Sequence, residues 1–350
     1  MLDFAAMRAT LAEAYDLAPS LTLAEEMRDV HARMDRVVAL PDFARYAPYI
    51  RAINQLKREK NAVILAHNYM TPEIYHGVAD VVGDSLQLAI EATKVEAQTI
   101  VQCGVHFMAE TSKILNPSKT VLIPDMEAGC SLAESITAEG IAQMRAKYPG
   151  AQVVSYVNTT AEVKAASDIC CTSSNAAQIV AAMDGDTVIM TPDQFLAQNV
   201  AKQVPQKNVV WWAGSCIVHE QYTAQDLRDY RALHPDTRII AHPECPPSVV
   251  AEADFSGSTS GIIDYVTREQ PGKAMLVTEC SMASNIADAL PAVDFVGPCN
   301  MCPYMKKITL EKILFSLHTG TEEVLVDPEI AAKARIAVER MIELSRKIAK

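Results

Sequence analysis

The chain has 350 residues, 49% of them apolar and 21% charged, so it can bury large cores and exceeds one typical domain of about 100–200 residues. Its 31 Lys and Arg residues are outnumbered by 43 Asp and Glu residues, which gives a formal charge of −12. Because no basic cluster reverses this charge locally, we expect no nucleic-acid partner.

The N-terminus carries no sign of a targeting segment. It reads Met1-Leu2-Asp3-Phe4 without a basic stretch, and no uncharged apolar run approaches the length of a membrane span. We therefore expect neither secretion nor membrane insertion and predict a cytoplasmic protein. Nine cysteines in a reducing compartment are core thiols, catalytic groups or metal ligands rather than a disulfide framework.

Residues 1–54 have the pattern of a helical segment, and from residue 61 short apolar runs alternate with amphipathic stretches. This alternation is typical of parallel strands in βαβ units. The nine predicted strands are Ala62–Ala66, Thr99–Cys103, Val121–Pro124, Val153–Val157, Thr187–Met190, Val209–Trp212, Ile239–Ala241, Met275–Val277 and Val293–Val296.

Three segments of the chain repeat one pattern, in which a strand ends in a polar cluster, an aspartate follows, and a hydroxyl residue opens the next helix. Corresponding aspartates and hydroxyl residues lie 88 and then 86 residues apart. The clusters are His67-Asn68-Tyr69, Tyr156-Val157-Asn158 and His242-Pro243-Glu244, the aspartates Asp80, Asp168 and Asp254, and the hydroxyl residues Ser85, Ser173 and Thr259.

A cysteine follows the last strand of each repeat. Cys130, Cys216 and Cys302 lie 86 residues apart, each just past a strand in a loop that contains glycine. Three equivalent units packed around a pseudo-threefold axis would bring these thiols together. We therefore predict an α/β protein of three tandem αβα repeats, with short parallel sheets around that axis and helices at both termini.

The predicted boundaries follow from the repeat. The C-terminal helices, which include a start signal at Asp327-Pro328, are expected to pack back on the first repeat. The units are an N-terminal helical segment (1–54), the three repeats (55–145, 146–231 and 232–305) and the C-terminal helices (306–350).

The cysteines divide into two groups. We interpret Cys103, Cys170, Cys171, Cys245 and Cys280 as core thiols and leave Cys299 unassigned. We interpret Cys130, Cys216 and Cys302 as ligands, because a packing role would not require cysteine at the same loop in all three repeats. Cys299-x-x-Cys302 has a spacing that zinc sites use, but no second pair completes a tetrahedral site.

Three thiolates instead suit a 4Fe-4S cluster with one open iron, since electron-transfer cubanes take four cysteines. Such an iron can polarise a substrate oxygen as a Lewis acid. Two alternatives remain: an iron–sulfur hydro-lyase acting on a small hydroxy acid, and a non-enzymatic iron–sulfur carrier or sensor.

Several motifs, in order from about residue 60 to 310, together resemble the quinolinate synthase family. The resemblance implies condensation of iminoaspartate with dihydroxyacetone phosphate to quinolinate, with loss of phosphate and two waters, on the way to NAD. It also implies a 4Fe-4S cluster held by one cysteine per repeat, and the L-aspartate oxidase that supplies the imine as a candidate partner. The motifs are Ala66-His-Asn-Tyr69, Gly83-Asp-Ser85, Ala128-Gly-Cys-Ser131, Tyr156-Val-Asn158, Cys171-Thr-Ser-Ser-Asn175, Gly214-Ser-Cys216, His242-Pro-Glu244, Gly257-Ser-Thr-Ser260 and Cys302-Pro-Tyr-Met305.

The same resemblance implies roles for individual residues. Tyr69, Glu244 and His67 would be catalytic, with Tyr69 and Glu244 handling protons, and His219 would lie near the cluster. We expect the thiolate-ligated cluster, the anionic substrates and partial burial to raise the pKa of Glu244. Some relatives carry a third cysteine before the last ligand; here Pro303 and the 86-residue interval select Cys302. The implied substrate-site residues are His67, Ser85, Tyr156, Val157, Asn158, Ser173, His242, Pro243, Glu244 and Thr259.

Overall fold

The computed structural model describes residues 4–348, which contain three four-stranded sheets. Every pairing within them is parallel, and the strand order is the same in each: β2-β1-β3-β4, β6-β5-β7-β8 and β10-β9-β11-β12. The prediction of three αβα repeats is confirmed. The strands are β1 (Ala62–His67), β2 (Val81–Gly83), β3 (Thr99–Cys103), β4 (Thr120–Leu122), β5 (Gln152–Tyr156), β6 (Ile169–Cys171), β7 (Thr187–Thr191), β8 (Asn208–Trp211), β9 (Thr237–Ala241), β10 (Phe255–Ser256), β11 (Lys273–Val277) and β12 (Asp294–Val296).

Helices cover the sheets and both ends of the described chain. Among residues 4–348, none of these helices combines the length and apolar character needed to cross a membrane. Two 3₁₀ helices, His219–Gln221 and Met305–Lys307, also occur. The α-helices are α1 (Phe4–Ala14), α2 (Leu21–Glu26), α3 (Arg28–His31), α4 (Leu40–Glu59), α5 (Pro72–Tyr75), α6 (Ser85–Ala92), α7 (His106–Leu115), α8 (Ser131–Glu134), α9 (Ala138–Lys147), α10 (Ala161–Ala165), α11 (Ala176–Ala182), α12 (Gln194–Gln203), α13 (Ala224–Leu233), α14 (Pro247–Val250), α15 (Thr259–Glu269), α16 (Ser281–Ile286), α17 (Leu310–Thr319) and α18 (Pro328–Ile348).

The nine predicted strands are all present, but β2, β6 and β10 were not predicted. Each of these has only two or three residues and lies at the edge of its sheet. Runs this short carry no alternation of apolar and polar residues, so hydrophobic patterning does not reveal them.

The repeated aspartates hold each sheet to the helix that precedes it. Asp80 accepts hydrogen bonds from Lys57 on α4 (2.7 Å) and from the backbone N–H of Ile64 on β1 (2.8 Å). In the second repeat Asp168 bonds Arg145 and the Val153 N–H, and in the third Asp254 bonds Arg231 and the Ile239 N–H. The aspartate therefore has one structural role in all three repeats.

The C-terminal helices occupy two places. Helix α17 packs on α4, whereas α18 packs mainly on α10 and β6 of the second sheet's repeat and also contacts α7. The prediction that these helices pack back on the first repeat is therefore wrong for most of the α18 surface. The apolar stripe of α18 shows that one face is buried, but it does not determine which surface covers that face.

Candidate active site

A cavity lies where the carboxyl ends of the three sheets meet. Its position is where parallel sheets bind ligands. Each repeat contributes a strand-end cluster and one cysteine to the wall. The predicted residues that line the cavity are His67, Tyr69, Ser85, Cys130, Tyr156, Asn158, Ser173, Cys216, His219, His242, Glu244, Thr259 and Cys302.

Two predicted substrate-site residues, Val157 and Pro243, do not line this cavity. Val157 is buried behind the wall, and its N–H donates to the Cys171 carbonyl; the Pro243 carbonyl accepts from Asn199. Both are the middle residue of their cluster, as is Asn68, which also lies outside the lining and donates to Thr259. The chain turns directly after the first residue of these clusters, since the Met70 and Cys245 N–H groups donate to the His67 and His242 carbonyls, and only the first and third residues of each cluster line the cavity.

The three cysteine loops share one local structure. Each thiol is free and partly buried, and each cysteine precedes a single helical turn: α8, His219–Gln221 or Met305–Lys307. Burial raises the pKa of all three thiols, that of Cys130 to about 12. In every loop the backbone N–H groups two and three residues further on act in the opposite direction, lowering the pKa by hydrogen bonding to the sulfur.

This arrangement fits metal ligation. Backbone N–H groups aimed at a sulfur atom stabilise its thiolate form, and a bound metal removes the thiol proton that burial otherwise favours. A second donor set overlaps with the thiols, because ligand atoms of Cys216, His219 and Glu244 lie within 4.8 Å of one another.

Glu244 is the centre of the acid–base groups. Its Oε1 accepts a hydrogen bond from the Tyr156 hydroxyl (2.5 Å), and its Oε2 lies 3.0 Å from His219 Nδ1. Burial acts to raise the pKa of Glu244, but His242, His219 and the Tyr156 hydrogen bond outweigh burial and hold the pKa well below its usual range. The rise in pKa that we expect from the cluster and the substrates would start from this lowered value.

Two histidines and two tyrosines of the cavity wall are held neutral by burial. Burial lowers the pKa of His67 to about 4 and that of His242 to about 3, although the Glu244 charge acts in the other direction. Burial and the Glu244 charge raise the pKa of Tyr69 and Tyr156 well above the usual value. Near neutral pH the cavity therefore combines the ionised Glu244 carboxylate with neutral His67, His242, Tyr69 and Tyr156.

Sequence reasoning missed residues behind the site that hold it in place. Thr278 contacts the Tyr69 hydroxyl (2.5 Å) and His219 Nε2 (2.9 Å). The fully buried Glu279 accepts from Lys306 (2.8 Å) and from the Cys302 N–H (3.4 Å), and Lys306 also donates to the Tyr69 carbonyl (2.7 Å). These contacts join distant parts of the chain, so residue spacing gives no sign of them.

An apolar part of the cavity wall was also missed. The side chains of Phe107, Met108, Ile217, Tyr304 and Met305 line it. The amphipathic pattern of α7 marks Phe107 and Met108 as buried residues, but it does not distinguish a core from a cavity wall.

Among the remaining cysteines, Cys103, Cys170, Cys171 and Cys245 are buried free thiols, as predicted. Cys280 is not a core thiol, because it forms a disulfide with Cys299, nineteen residues further along the chain. Cys299 is therefore paired with Cys280 and does not line the cavity. The unassigned cysteine is thus separated from the three that line the site.

The fold and site define a class of protein: a three-repeat α/β enzyme whose central cavity combines three thiols with acid–base groups. The family model described as Quinolinate synthetase A protein matches residues 51–343. Proteins named quinolinate synthase from Sinorhizobium medicae and Sinorhizobium fredii are 56% and 57% identical over 342 residues, 98% of this chain and 95% of each relative. One from Xylella fastidiosa is 59% identical over 295 residues, 84% of this chain and 87% of the relative. The chain belongs to the quinolinate synthase family.

Proposed function

We propose that this enzyme condenses iminoaspartate with dihydroxyacetone phosphate to form quinolinate, releasing phosphate and two waters, in cytoplasmic de novo NAD biosynthesis. The observation that carries the proposal is the gathering of one free thiol and one strand-end cluster from each repeat around a single cavity. The names of the relatives support the product.

Cys130, Cys216 and Cys302 would hold a 4Fe-4S cluster. Three equivalent thiols with N–H groups aimed at sulfur support this ligand set, and the absence of a fourth cysteine from the cavity wall among the described residues supports an open iron. When bound, the cluster supplies a Lewis acid for a substrate oxygen.

The anionic substrates would be bound by hydroxyl groups and helix N-termini. Ser85 and Thr259 are the first residues of α6 and α15, and the caps are the residues before them, Asp84 and Ser258. The Ser85 and Thr259 hydroxyls thus remain available at the cavity wall, where the first N–H groups of each helix favour negative charge. His67 and His242, held neutral by burial, would act as hydrogen-bonding groups.

Glu244 and Tyr69 would carry the protons that ring formation requires. An ionised Glu244 is ready to accept a proton from substrate, and the neutral Tyr69 hydroxyl is ready to donate a hydrogen bond to an oxygen atom that gains negative charge, whereas the Tyr156 hydroxyl donates to Glu244 itself. The charge of the cluster and of the substrates would raise the pKa of Glu244 toward neutrality. Glu244 could then release the proton that it had accepted.

Anaerobic purification, iron and sulfide analysis and a quinolinate assay test the proposal together. The assay supplies dihydroxyacetone phosphate, with iminoaspartate made in place by L-aspartate oxidase acting on aspartate. We expect about four irons and four sulfides per chain and quinolinate formation that depends on both substrates. Dehydration of a hydroxy acid without the phosphorylated substrate would instead identify a hydro-lyase. A cluster with no turnover on either would identify a carrier or sensor.

A further inference from the structure

Three side chains of the cavity wall form a donor set that is more compact than the three thiols. The ligand atoms of Cys216, His219 and Glu244 lie within 4.8 Å of one another. Among the described residues no other three His, Cys, Asp or Glu side chains come this close, so the sulfur atoms of Cys130, Cys216 and Cys302 are more widely spaced. Wide spacing suits a cluster of several metal atoms, whereas the compact set suits a single ion.

The donor types and distances of the compact set match zinc. Zinc takes tetrahedral sets of cysteine, histidine and carboxylate ligands at about 2.0–2.3 Å, which places neighbouring ligand atoms roughly 3.3–3.8 Å apart. The segment Cys216-Ile-Val-His219 has the two-residue separation of local zinc-ligand pairs. Shifts of about 1 Å would bring the three atoms onto one ion, and the cavity would leave its fourth position open to water.

Each of the three side chains is also held from behind, as metal ligands usually are. The Thr278 hydroxyl lies 2.9 Å from His219 Nε2, which leaves Nδ1 on the side of Glu244. The Tyr156 hydroxyl donates to Glu244 Oε1 (2.5 Å), which leaves Oε2 available. The backbone N–H groups two and three residues after Cys216 are aimed at its sulfur atom.

The orientation of the His219 ring points to a ligand as well. Its Nδ1 atom is buried and makes no hydrogen bond among the described residues, although Glu244 Oε2 is only 3.0 Å away. The ring is therefore not turned to pair with the carboxylate. An unprotonated Nδ1 can bind a metal ion while Nε2 donates to Thr278, which is the usual arrangement of a metal-bound histidine.

We propose that the chain binds one zinc ion through Cys216, His219 and Glu244 when the iron–sulfur cluster is absent, and that zinc and the cluster exclude each other. Zn²⁺ would replace the proton of the Cys216 thiol, which passes to solvent, and no electron is transferred. Because zinc would then hold the Cys216 sulfur, the cluster would lack its third ligand. The exclusion rests on the proposed function, in which Cys216 is a cluster ligand, but the zinc site does not.

Metal titration of the full chain tests the site. The chain is prepared anaerobically without iron and titrated with zinc in competition with a chromophoric chelator. We expect one zinc per chain, and binding at least about 100-fold weaker in Cys216→Ser, His219→Gln and Glu244→Gln, because losing a ligand should cost more than losing a supporting contact. Cys130→Ser and Cys302→Ser are the matched controls and should stay within about threefold of wild type. Cobalt(II) in place of zinc should give a sulfur-to-metal absorption band in wild type and in Cys130→Ser, but not in Cys216→Ser.

Reconstitution with iron and sulfide tests the exclusion. Zinc-loaded wild type should take up little iron and sulfide until a chelator removes the zinc. In His219→Gln, which keeps all three thiols, the same zinc concentration should not impede cluster assembly. The two metal sites would thus be separated by variants that each lose only one of them.

The zinc site is overturned if wild type does not bind one zinc per chain, or if Cys130→Ser or Cys302→Ser weakens zinc binding as much as Cys216→Ser does. The three thiols would then be the zinc ligands. It is also overturned if His219→Gln and Glu244→Gln bind zinc like wild type; should His219→Gln fail to fold, Glu244→Gln decides alone.

Normal cluster assembly on the zinc-loaded chain overturns the exclusion. If wild type takes up no cluster even without zinc, the proposed function and the exclusion fail together. The titration still decides the zinc site in that case, because it uses the chain without a cluster.

Discussion

Two sets of loops meet at the cavity, and they have diverged to different extents. The loops with Cys130, Cys216 and Cys302 each have a cysteine, a short helical turn that begins within three residues of it, and the same pattern of N–H groups aimed at sulfur. The three strand-end clusters differ in every repeat, and their cavity-facing pairs are His and Tyr, Tyr and Asn, and His and Glu.

The difference reflects what each set contacts. The proposed cluster, bound on a pseudo-threefold axis, would present equivalent iron atoms to equivalent ligands, so the three loops would be under the same chemical requirement. The proposed substrates have no such symmetry, because one end carries phosphate and another carboxylates. Each strand end therefore meets different chemistry, and only one of the three carries a carboxylate, Glu244.

Replacement of any one of the three cavity cysteines by serine should have the largest effect. We expect Cys130→Ser, Cys216→Ser and Cys302→Ser each to lose the stable cluster and all activity, since two thiolates do not hold a cubane. Iron and sulfide analysis and the visible absorption of anaerobic protein measure the loss. Serine at Cys103, Cys170, Cys171 or Cys245 should leave the chromophore largely intact. A full cluster in Cys130→Ser would show that the equivalence of the loops has another cause.

Replacement of Glu244 by glutamine should separate chemistry from cofactor binding. We expect the variant to fold, keep its cluster and bind substrate, but to lose on the order of 10²-fold or more in kcat, because glutamine cannot accept a proton. Glu110→Gln is a matched control, since Glu110 is buried on α7 but does not line the cavity. Near-normal kcat in Glu244→Gln would assign the proton transfer to Tyr69 or to a substrate group.

Binding of product should perturb the cluster without removing it. If one iron is free of protein ligands, as proposed, quinolinate or a dicarboxylate analogue should change the electron paramagnetic resonance spectrum of the reduced cluster. Air should bleach the protein and stop turnover at the same rate. An unchanged spectrum at saturating ligand would indicate a fourth protein ligand and would break the threefold equivalence.

Replacement of the repeated aspartates should have the smallest effect. It tests whether these residues have the same structural role in each repeat. Asp254→Asn should cost about 1–2 kcal/mol of unfolding free energy, because it weakens a partly exposed ion pair and one backbone contact, and it should leave kcat unchanged. Asp80→Asn should cost more, because Lys57 is buried and would lose its charged partner. Anaerobic urea denaturation measures both. A loss of kcat in either variant would show that these aspartates also act at the cavity.

Residues that recur at the repeat interval were predictable. The interval alone groups the three cysteines, and it places the hydroxyl residues and the strand ends at one edge of each sheet. The interval does not separate His242 and Glu244, which line the cavity, from Pro243, which does not; the family resemblance included all three, and only the structure distinguishes them.

Contacts between repeats were not predictable in the same way. Thr278 has no counterpart that the spacing marks, and its partners lie 209 and 59 residues away in the chain. The Cys280–Cys299 pairing and the position of α18 likewise depend on which surfaces meet after folding. Local patterns report that a face is buried, and only the assembled structure reports its neighbour.

The distribution of the thiols over three separate sheets has a consequence for how the proposed cofactor would be lost. Each sheet has its own strand pairing and can open by local unfolding with its own free energy. Since each repeat holds one ligand, the opening of any repeat would release one corner of the cluster to solvent. The lifetime of the cluster's visible absorption in dilute denaturant would then measure the stability of the least stable repeat, well before the whole chain unfolds.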